Sequence, residues 1–449
     1  MSRTKLTLAP ALCAALALAG AALAAPATPA PWPQFRGIDG AGVADGSPLP
    51  VTWSKTENVL WRVPVPGKGW SSPVVWGGRI YLTTAIPAGD VEKPWIPEKM
   101  EDNGKGYPTT AAQRWTLLCL DLKSGRKLWQ REASAAVPDW LTHPKGSHAS
   151  ETPVTDGKRI YTLFGSVGLF CYSMDGKPLW SRRWGKSPML FNWGTAIGPA
   201  VVGNRIFVVN DNEAKSWLLC LDAATGKELW KLDRAEKSNW CNPLIWRHGD
   251  ITELVTSGSK VVRSYDMAGK LLWELKGMSY ATIPSPFVYH DRLYIASGHA
   301  SGPTTPIYCI KPGASGDISL KAGETGNASV QWCDPKAGPY VPTPIAYGDH
   351  VYSLRDSGVL QCHEEATGKQ LYRQRLASGM PITASPVAGD GKVYCLGEKG
   401  NMVVVQAGAE FKVLARNTLE EDTLATPAIV DGTLLIRTLS GLYRIGAGR

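Results

Sequence analysis

From residue 58 onward apolar and polar residues alternate in runs too short for helices, and the runs break at Gly, Asp or Asn pairs. Alternation over about four to eight positions is the pattern of half-buried strands, and pairs able to adopt positive φ between such runs mark hairpins. The runs come in two phrases. In the first, a small polar residue and a Pro precede an apolar pair, a turn, and a strand closing on an aromatic. Clear copies are Ser72-Pro73-Val74-Val75 with Gly78-Arg79-Ile80-Tyr81, Thr152-Pro153-Val154 with Gly157-Lys158-Arg159-Ile160-Tyr161, and Ser385-Pro386-Val387 with Gly391-Lys392-Val393-Tyr394. The prolines of all copies are Pro73, Pro153, Pro199, Pro243, Pro286, Pro344, Pro386 and Pro427, which predicts eight units.

The second phrase is a strand centred on Cys or another apolar residue, a Gly-Lys turn, and a strand carrying Trp. Leu219-Cys220-Leu221-Asp222-Ala223-Ala224-Thr225-Gly226-Lys227-Glu228-Leu229-Trp230 is the fullest copy, and others run Cys119 to Trp129, Cys171 to Trp180, Tyr265 to Trp273 and Cys362 to Tyr372. Two hairpins make a four-stranded antiparallel sheet, the blade of a propeller. After Pro427 only three strands remain, while Asn58 to Val63 matches the Trp strand of the second phrase. The expectation is an all-β, eight-bladed propeller closed by an N-terminal strand that completes the last blade and removes its free edge.

Composition agrees with this. The 47 Gly and 33 Pro, scattered instead of tracted, leave little room for long helices, and 44% hydrophobic residues suffice for a large core. The first residues look like a targeting segment: Arg3 and Lys5, an Ala/Leu run to Ala22, and a small-residue cleavage site at Ala22-Leu23-Ala24. The expected organisation is a signal peptide at 1–24, an N-terminal extension at 25–57, and one propeller domain at 58–449, periplasmic or secreted, with no spanning segment in the mature chain. Losing 1–24 takes two bases and no acids, so the net charge of +9 falls to +7. Those bases are spread along the chain, which argues against a nucleic-acid groove.

The 222–230 phrase, with Asp, Ala, Thr-Gly-Lys and Trp, resembles the tryptophan-docking repeat of the pyrroloquinoline-quinone-type propeller family, in which each Trp packs on the neighbouring blade. Trp32-Pro33-Gln34-Phe35-Arg36-Gly37 and His143-Pro144-Lys145-Gly146-Ser147-His148-Ala149-Ser150 are similar to segments of a bacterial exported subgroup of that family. The likeness runs over roughly residues 32 to 446. The family includes quinone-dependent alcohol dehydrogenases and cofactor-free relatives such as the propeller lipoprotein of the β-barrel assembly machinery. Two functions therefore stand: a ligand- or protein-binding scaffold acting through its funnel face, or an extracytoplasmic quinoprotein oxidoreductase acting on alcohols or sugars, with pyrroloquinoline quinone and Ca²⁺. The dehydrogenases typically carry adjacent cysteines, and this chain has no Cys-Cys. Asp211, Asn212, Asp356 and Glu398 are scattered acid and amide residues in loops of the relevant face, where solvated turns are the ordinary role.

The proline spacings of 80, 46, 44, 43, 58, 42 and 41 residues place insertions in the first and fifth units. Ile86 to Arg114, Arg131 to Ser150 and Ser297 to Pro306 fall on the funnel face, and Gly313 to Val330 on the other. Elaborated loops on a rigid scaffold are where function concentrates. Lys68, Trp70, His148, Glu151, Asn192, Trp193, Asn239, Trp240, Tyr280, Tyr340 and Met380 are expected to ring the channel mouth, a polar and aromatic funnel suited to a small ligand, a sugar or a peptide. The three Trp equally suit core capping, and His148 with Glu151 suits either an acid/base pair or a structural hydrogen bond. Cys119, Cys171, Cys220, Cys309 and Cys362 recur in one slot of separate blades, too far apart to pair, and pairing among Cys241, Cys333 and Cys395 is left open. No catalytic, metal-binding or cofactor-binding residue is assigned. The expected partner is an envelope protein or a small ligand, and the expected state a monomer.

Overall fold

Each of the eight recurring prolines stands one residue ahead of a strand, the position at which a sheet tolerates a residue without an N–H. The computed structural model describes residues 1, 30–88, 109, 111–299 and 304–446. Blade 1 is Val74–Trp76, Arg79–Pro87, Gln113–Asp121 and Lys127–Ala136, and blade 2 is Val154–Thr155, Arg159–Phe164, Gly168–Ser173 and Pro178–Arg182. Blade 3 is Ala200–Val202, Arg205–Asn210, Ser216–Asp222 and Glu228–Arg234, and blade 4 is Leu244–His248, Ile251–Ser257, Val261–Tyr265 and Leu271–Lys276. Blade 5 is Phe287–Tyr289, Arg292–Ala296, Ile307–Ile310 and Val330–Asp334, and blade 6 is Ile345–Tyr347, His350–Leu354, Val359–Glu364 and Gln370–Arg375. Blade 7 is Val387–Gly389, Lys392–Leu396, Asn401–Gln406 and Val413–Thr418. Blade 8 joins Ala428–Val430, Thr433–Arg437 and Gly441–Ile445 to the N-terminal strand Val59–Pro64, with Arg62 opposite Tyr443. The expected eight-bladed, circularly closed propeller is the observed one. One addition was not foreseen: Gly316–Asp317, from the blade 5 excursion, pairs in parallel with the outer strand of blade 4 and makes that sheet five-stranded.

The core lies between blades. One apolar cluster joins blades 1 and 2, the next blades 2 and 3, and so on round the ring, while Trp32, Leu49 and Trp53 from the N-terminal segment enter the cluster that spans blades 7, 8 and 1. A repeated cross-strand row explains the cysteine slot. Tyr81 faces Cys119 and Cys119 faces Trp129, and the same order recurs as Tyr161, Cys171, Trp180 and as Tyr294, Cys309, Trp332. The two aromatic rings approach to 5.9, 5.9 and 6.2 Å over the intervening residue, so that residue must be small and apolar. All eight cysteines among the described residues are buried and free, Cys241, Cys333 and Cys395 included.

Most outer-strand Trp also reach the next blade, whereas Trp273 donates to Glu253 of its own blade at 2.7 Å. The Trp180 indole donates to the Ala223 carbonyl at 3.1 Å, Trp230 to Met267 at 3.1 Å and Trp332 to Glu365 at 2.8 Å. Gly226 turns at φ +69° directly under Trp180, where a Cβ would sit 2.6 Å from the ring, so the turn needs glycine for its backbone and for its neighbour.

Residues 30–57 are integral to the ring. Trp32 bridges Val75 of blade 1, the Pro33 carbonyl accepts from Thr155 of blade 2, and Gly42 and Ala44 pair with Ala388 of blade 7. Arg36 is 1% exposed and donates to the carbonyls of Gly40, Ala41, Pro344 and Pro386 at 2.7–2.9 Å. Burial pulls its guanidinium down to about 9. This segment crosses one end of the channel from blade 1 to blade 7.

Candidate functional site

The residue before each proline builds a hydrogen-bonded belt around the channel. The Ser72 amide donates to Thr152 Oγ1 at 3.0 Å, Asn242 to Ser285 Oγ at 3.0 Å, Ser285 to Thr343 Oγ1 at 3.0 Å, Thr343 to Ser385 Oγ at 2.9 Å and Ser385 to Thr426 Oγ1 at 3.0 Å. The Gly198 amide donates in the same sense to Asn242 Oδ1 at 2.5 Å, but glycine has no side-chain oxygen with which to accept from blade 2. A short polar side chain accepts from the preceding blade's amide without filling the channel, which is why the first phrase opens on Ser, Thr or Asn. Two residues earlier the chain contributes a second tier that includes Trp70, Trp240, Ile283, Val341 and Leu424. Together the tiers line a cavity of about 270 Å³, with Phe35 of the N-terminal segment also on its wall.

The loop between blades 1 and 2 spans the mouth as a strap. His143 donates its amide to the Trp193 carbonyl at 2.8 Å, and the Trp70 indole donates to the Lys145 carbonyl at 2.8 Å. Lys145 Nζ reaches Glu398 Oε2 of blade 7 at 2.7 Å, and Thr383 Oγ1 donates to the other carboxylate oxygen at 2.7 Å. Burial, with the Lys145 charge adding to it, pulls the His143 imidazole down to about 4, so it is neutral at pH 7.

Of the residues expected at the mouth, Trp70, Trp193, Trp240 and Tyr340 line the cavity. Tyr280 stands near them against His299, at 5.9 Å and edge-on, and Asn192 is exposed in a tight turn at φ 58°. Lys68, His148, Glu151, Asn239 and Met380 are not among the lining residues. Lys68 bridges Ala85, and burial pulls its amine down to about 8. Met380 packs between blades 6 and 7. Asn239 is fully buried and donates to Asp211 at 2.7 Å, and Asp211 in turn holds Arg234 through both oxygens at 2.8 and 2.9 Å. His148 and Glu151 engage different partners. His148 Nε2 lies 2.8 Å from Thr109 Oγ1, whereas Glu151 Oε1 accepts from Thr195 at 2.5 Å and from the Gly165 amide at 3.0 Å. Burial pushes the Glu151 carboxyl up to about 7.

The solvated-turn expectation is corrected for Asp211, Glu398 and Asn212, the last 4% exposed and bonded to its own loop at Ala214, Lys215 and Ser216. Asp211 is 1% and Glu398 8% exposed because each is drawn inward by a cation, Arg234 and Lys145, while Asp356 is exposed as expected. Sequence reasoning missed Phe35, His143, Lys145 and Thr195 as site residues, although Phe35, His143 and Lys145 lie in the two segments similar to those of the bacterial exported subgroup. Between Ile86 and Arg114, strands run to Pro87 and resume at Gln113, and most of the intervening residues lie outside the described ones. The turn region around Ser297 to Pro306 likewise includes residues outside the described set.

A quinone held with Ca²⁺ needs several carboxylate and carbonyl oxygens converging on the ion. Among the described residues no Asp or Glu lines the cavity, and no group of three or more His, Cys, Asp or Glu is able to share an ion. The residues present do not fit that cofactor.

Comparison with solved structures shows the fold. Quinohemoprotein alcohol dehydrogenase from Comamonas testosteroni superposes with a TM-score of 0.58 at 11% identity, covering 93% of this chain and 81% of that one. The quinohemoprotein alcohol dehydrogenase ADHIIG from Pseudomonas putida HK5 does so at 0.58 and 10%, with the same coverage. In sequence, the outer membrane protein assembly factor BamB of Burkholderia pseudomallei (strain K96243) is 29% identical over 107 residues, which span 24% of this chain and 27% of that protein. The profile of one family matches residues 113–352, more than half of the chain, and the protein belongs to that family, described as outer membrane protein assembly factor BamB.

Proposed function

We propose that this protein is an exported propeller that scaffolds protein partners in the cell envelope, binding them through the face that carries the strap loop. The observation that carries the reading is the family match over residues 113–352 of a closed eight-bladed ring. In this reading residues 1–24 are a signal peptide removed on export, residues 58–449 form a single periplasmic propeller domain, and residues 25–57 lead into it. Among the described residues no helix is long and apolar enough to cross a membrane. The blade rims offer a second contact surface for the same partner: exposed apolar residues at Leu179, Leu229, Leu271 and Leu371 recur on outer strands, where an extended segment can add main-chain hydrogen bonds. The outer edge of blade 4 is already occupied by Gly316–Asp317, which leaves the other edges as the better acceptors.

The test is affinity capture from an envelope extract after in-cell cross-linking, with the partner identified by mass spectrometry. An outer-membrane assembly component is expected, and it is expected to be lost when residues 88–112 are deleted. Elution as a lone monomer with no specific cross-link would overturn the reading.

A further inference from the structure

The cavity beneath the strap differs chemically from the face around it. The belt hydroxyls of Thr152, Ser285, Thr343, Ser385 and Thr426 each accept an inter-blade amide and donate to no described residue, so their protons are left for whatever occupies the cavity. Ser72 belongs to the same belt, is 1% exposed, and its Oγ has no hydrogen-bond partner at all. Asn242 spends its Oδ1 on Gly198 while its Nδ2 donates to no described residue. Polar groups left unmatched in a cavity favour a hydrogen-bonding guest or, failing one, ordered water.

The upper wall is aromatic and rigid. Trp70 and Trp240 give their indole N–H groups to the Lys145 and Gly194 carbonyls, both at 2.8 Å, and so offer ring faces instead of polar edges. Trp193 packs beside Trp240 with ring centroids 5.8 Å apart. The one cation among the described lining residues, Lys145, is matched by Glu398 behind the wall at 2.7 Å, His143 is neutral, and no carboxylate of the described residues lines the space.

We propose that the cavity binds a neutral, hydroxyl-rich ring compound of monosaccharide size. Its oxygens meet the belt donors and its C–H face lies on the tryptophans. A charged analogue would bring an unpaired ion into a site whose own ions are already matched. The volume of about 270 Å³ lies just below the range of roughly 300–1,000 Å³ usual for small-molecule pockets, which favours one sugar ring over a chain. The inference goes beyond partner docking and is independent of it: partner capture probes the exterior, sugar binding the interior.

Calorimetry and ligand-observed NMR on the purified chain, with glucose, galactose and N-acetylglucosamine set against glucuronate and glucosamine, test it. At least one neutral sugar is expected to bind saturably, with its charged counterparts at least about tenfold weaker. Ser72→Ala is expected to weaken binding several-fold without lowering the melting temperature, because Ser72 Oγ makes no bond within the protein. Trp193→Ala, at a half-buried position and with the fold checked by circular dichroism, is expected to weaken binding by about tenfold or more. The proposal is overturned by a folded protein that binds none of the neutral sugars, the outcome of a cavity filled by water only. Equal binding of the charged analogues, or binding untouched by Trp193→Ala, overturns it as well.

Discussion

The main-chain amide of Ser285 donates a 3.0 Å hydrogen bond to the hydroxyl of Thr343, 58 residues further along the chain. The bond crosses from blade 5 to blade 6, and its counterparts tie most neighbouring blades at the channel wall. Thr343→Val keeps the shape and removes the acceptor, leaving a buried N–H unpaired, and is expected to cost about 1–3 kcal/mol in urea denaturation. Thr343→Ser restores the acceptor and is expected to recover most of that loss. Ser72→Ala is expected to change stability by less than about 0.5 kcal/mol, since the Ser72 hydroxyl has no partner to lose.

Gly226 and Gly77 separate backbone strain from contact with a neighbouring blade. Both have positive φ, +69° and +56°, but a Cβ at Gly226 meets Trp180 at 2.6 Å whereas one at Gly77 meets nothing within 4 Å. Gly77→Ala is expected to cost about 1–2 kcal/mol from conformation alone. Gly226→Ala is expected to cost about 3 kcal/mol or more, because Trp180 must also leave its seat on blade 3. Thermal unfolding of the two variants side by side gives the difference.

Arg36 is buried without a carboxylate partner, and its charge is spread over main-chain carbonyls from the N-terminal segment, blade 6 and blade 7. A planar five-donor fork matches such a set, and the ammonium of Lys does not. Arg36→Lys is therefore expected to destabilise by about 3 kcal/mol and to raise hydrogen exchange through residues 32–44 ahead of the blades.

The Lys145–Glu398 pair fastens the strap across the mouth, its side chains 27% and 9% exposed. Glu398→Gln keeps the shape and removes the charge. Amides of residues 143–149 are expected to exchange about tenfold faster, while those of the blade strands stay unchanged. Equal protection in the two proteins would show that the strap is held by its backbone bonds alone.

Glu151 supplies a pH dependence of definite sign. Burial raises its carboxyl to about 7 from the usual 4.5, so the folded protein keeps a proton that the unfolded chain releases. Its contribution is complete below pH 4.5 and is lost as the pH rises through 7, amounting to about 3 kcal/mol. His143 and His148, both lowered to about 4 by burial, act in the opposite sense and remove stability as the pH falls from 6.5 through 4. The difference in melting temperature between wild type and Glu151→Gln isolates the carboxyl, and it is expected to grow in favour of the variant between pH 5 and pH 8.

The blades were legible because their signals are local. Strand period, the proline ahead of each inner strand and the glycine of each outer turn all act within a dozen residues, and Cys220 and Trp230 repeat the arrangement of Cys171 and Trp180. The orphan strand Val59–Pro64 could be assigned to blade 8 from count and pattern, since a three-stranded last unit has one vacancy. The funnel was only half legible. Trp70, Trp193, Trp240 and Tyr340 reach the cavity, but Asn239, the residue before Trp240, turns inward to Asp211.

Alternation and turn chemistry alone thus determine a closed ring of eight four-stranded blades, because each blade is specified by residues that are neighbours in the chain. The tertiary structure alone decides that Phe35 enters the channel wall, that Gly316–Asp317 adds a parallel strand to another blade, and that Lys145 finds Glu398 across the mouth. These contacts join segments with no sequence relation, chosen by the shape and charge of the completed ring. The cavity is made of them, so its character emerges only when the ring closes.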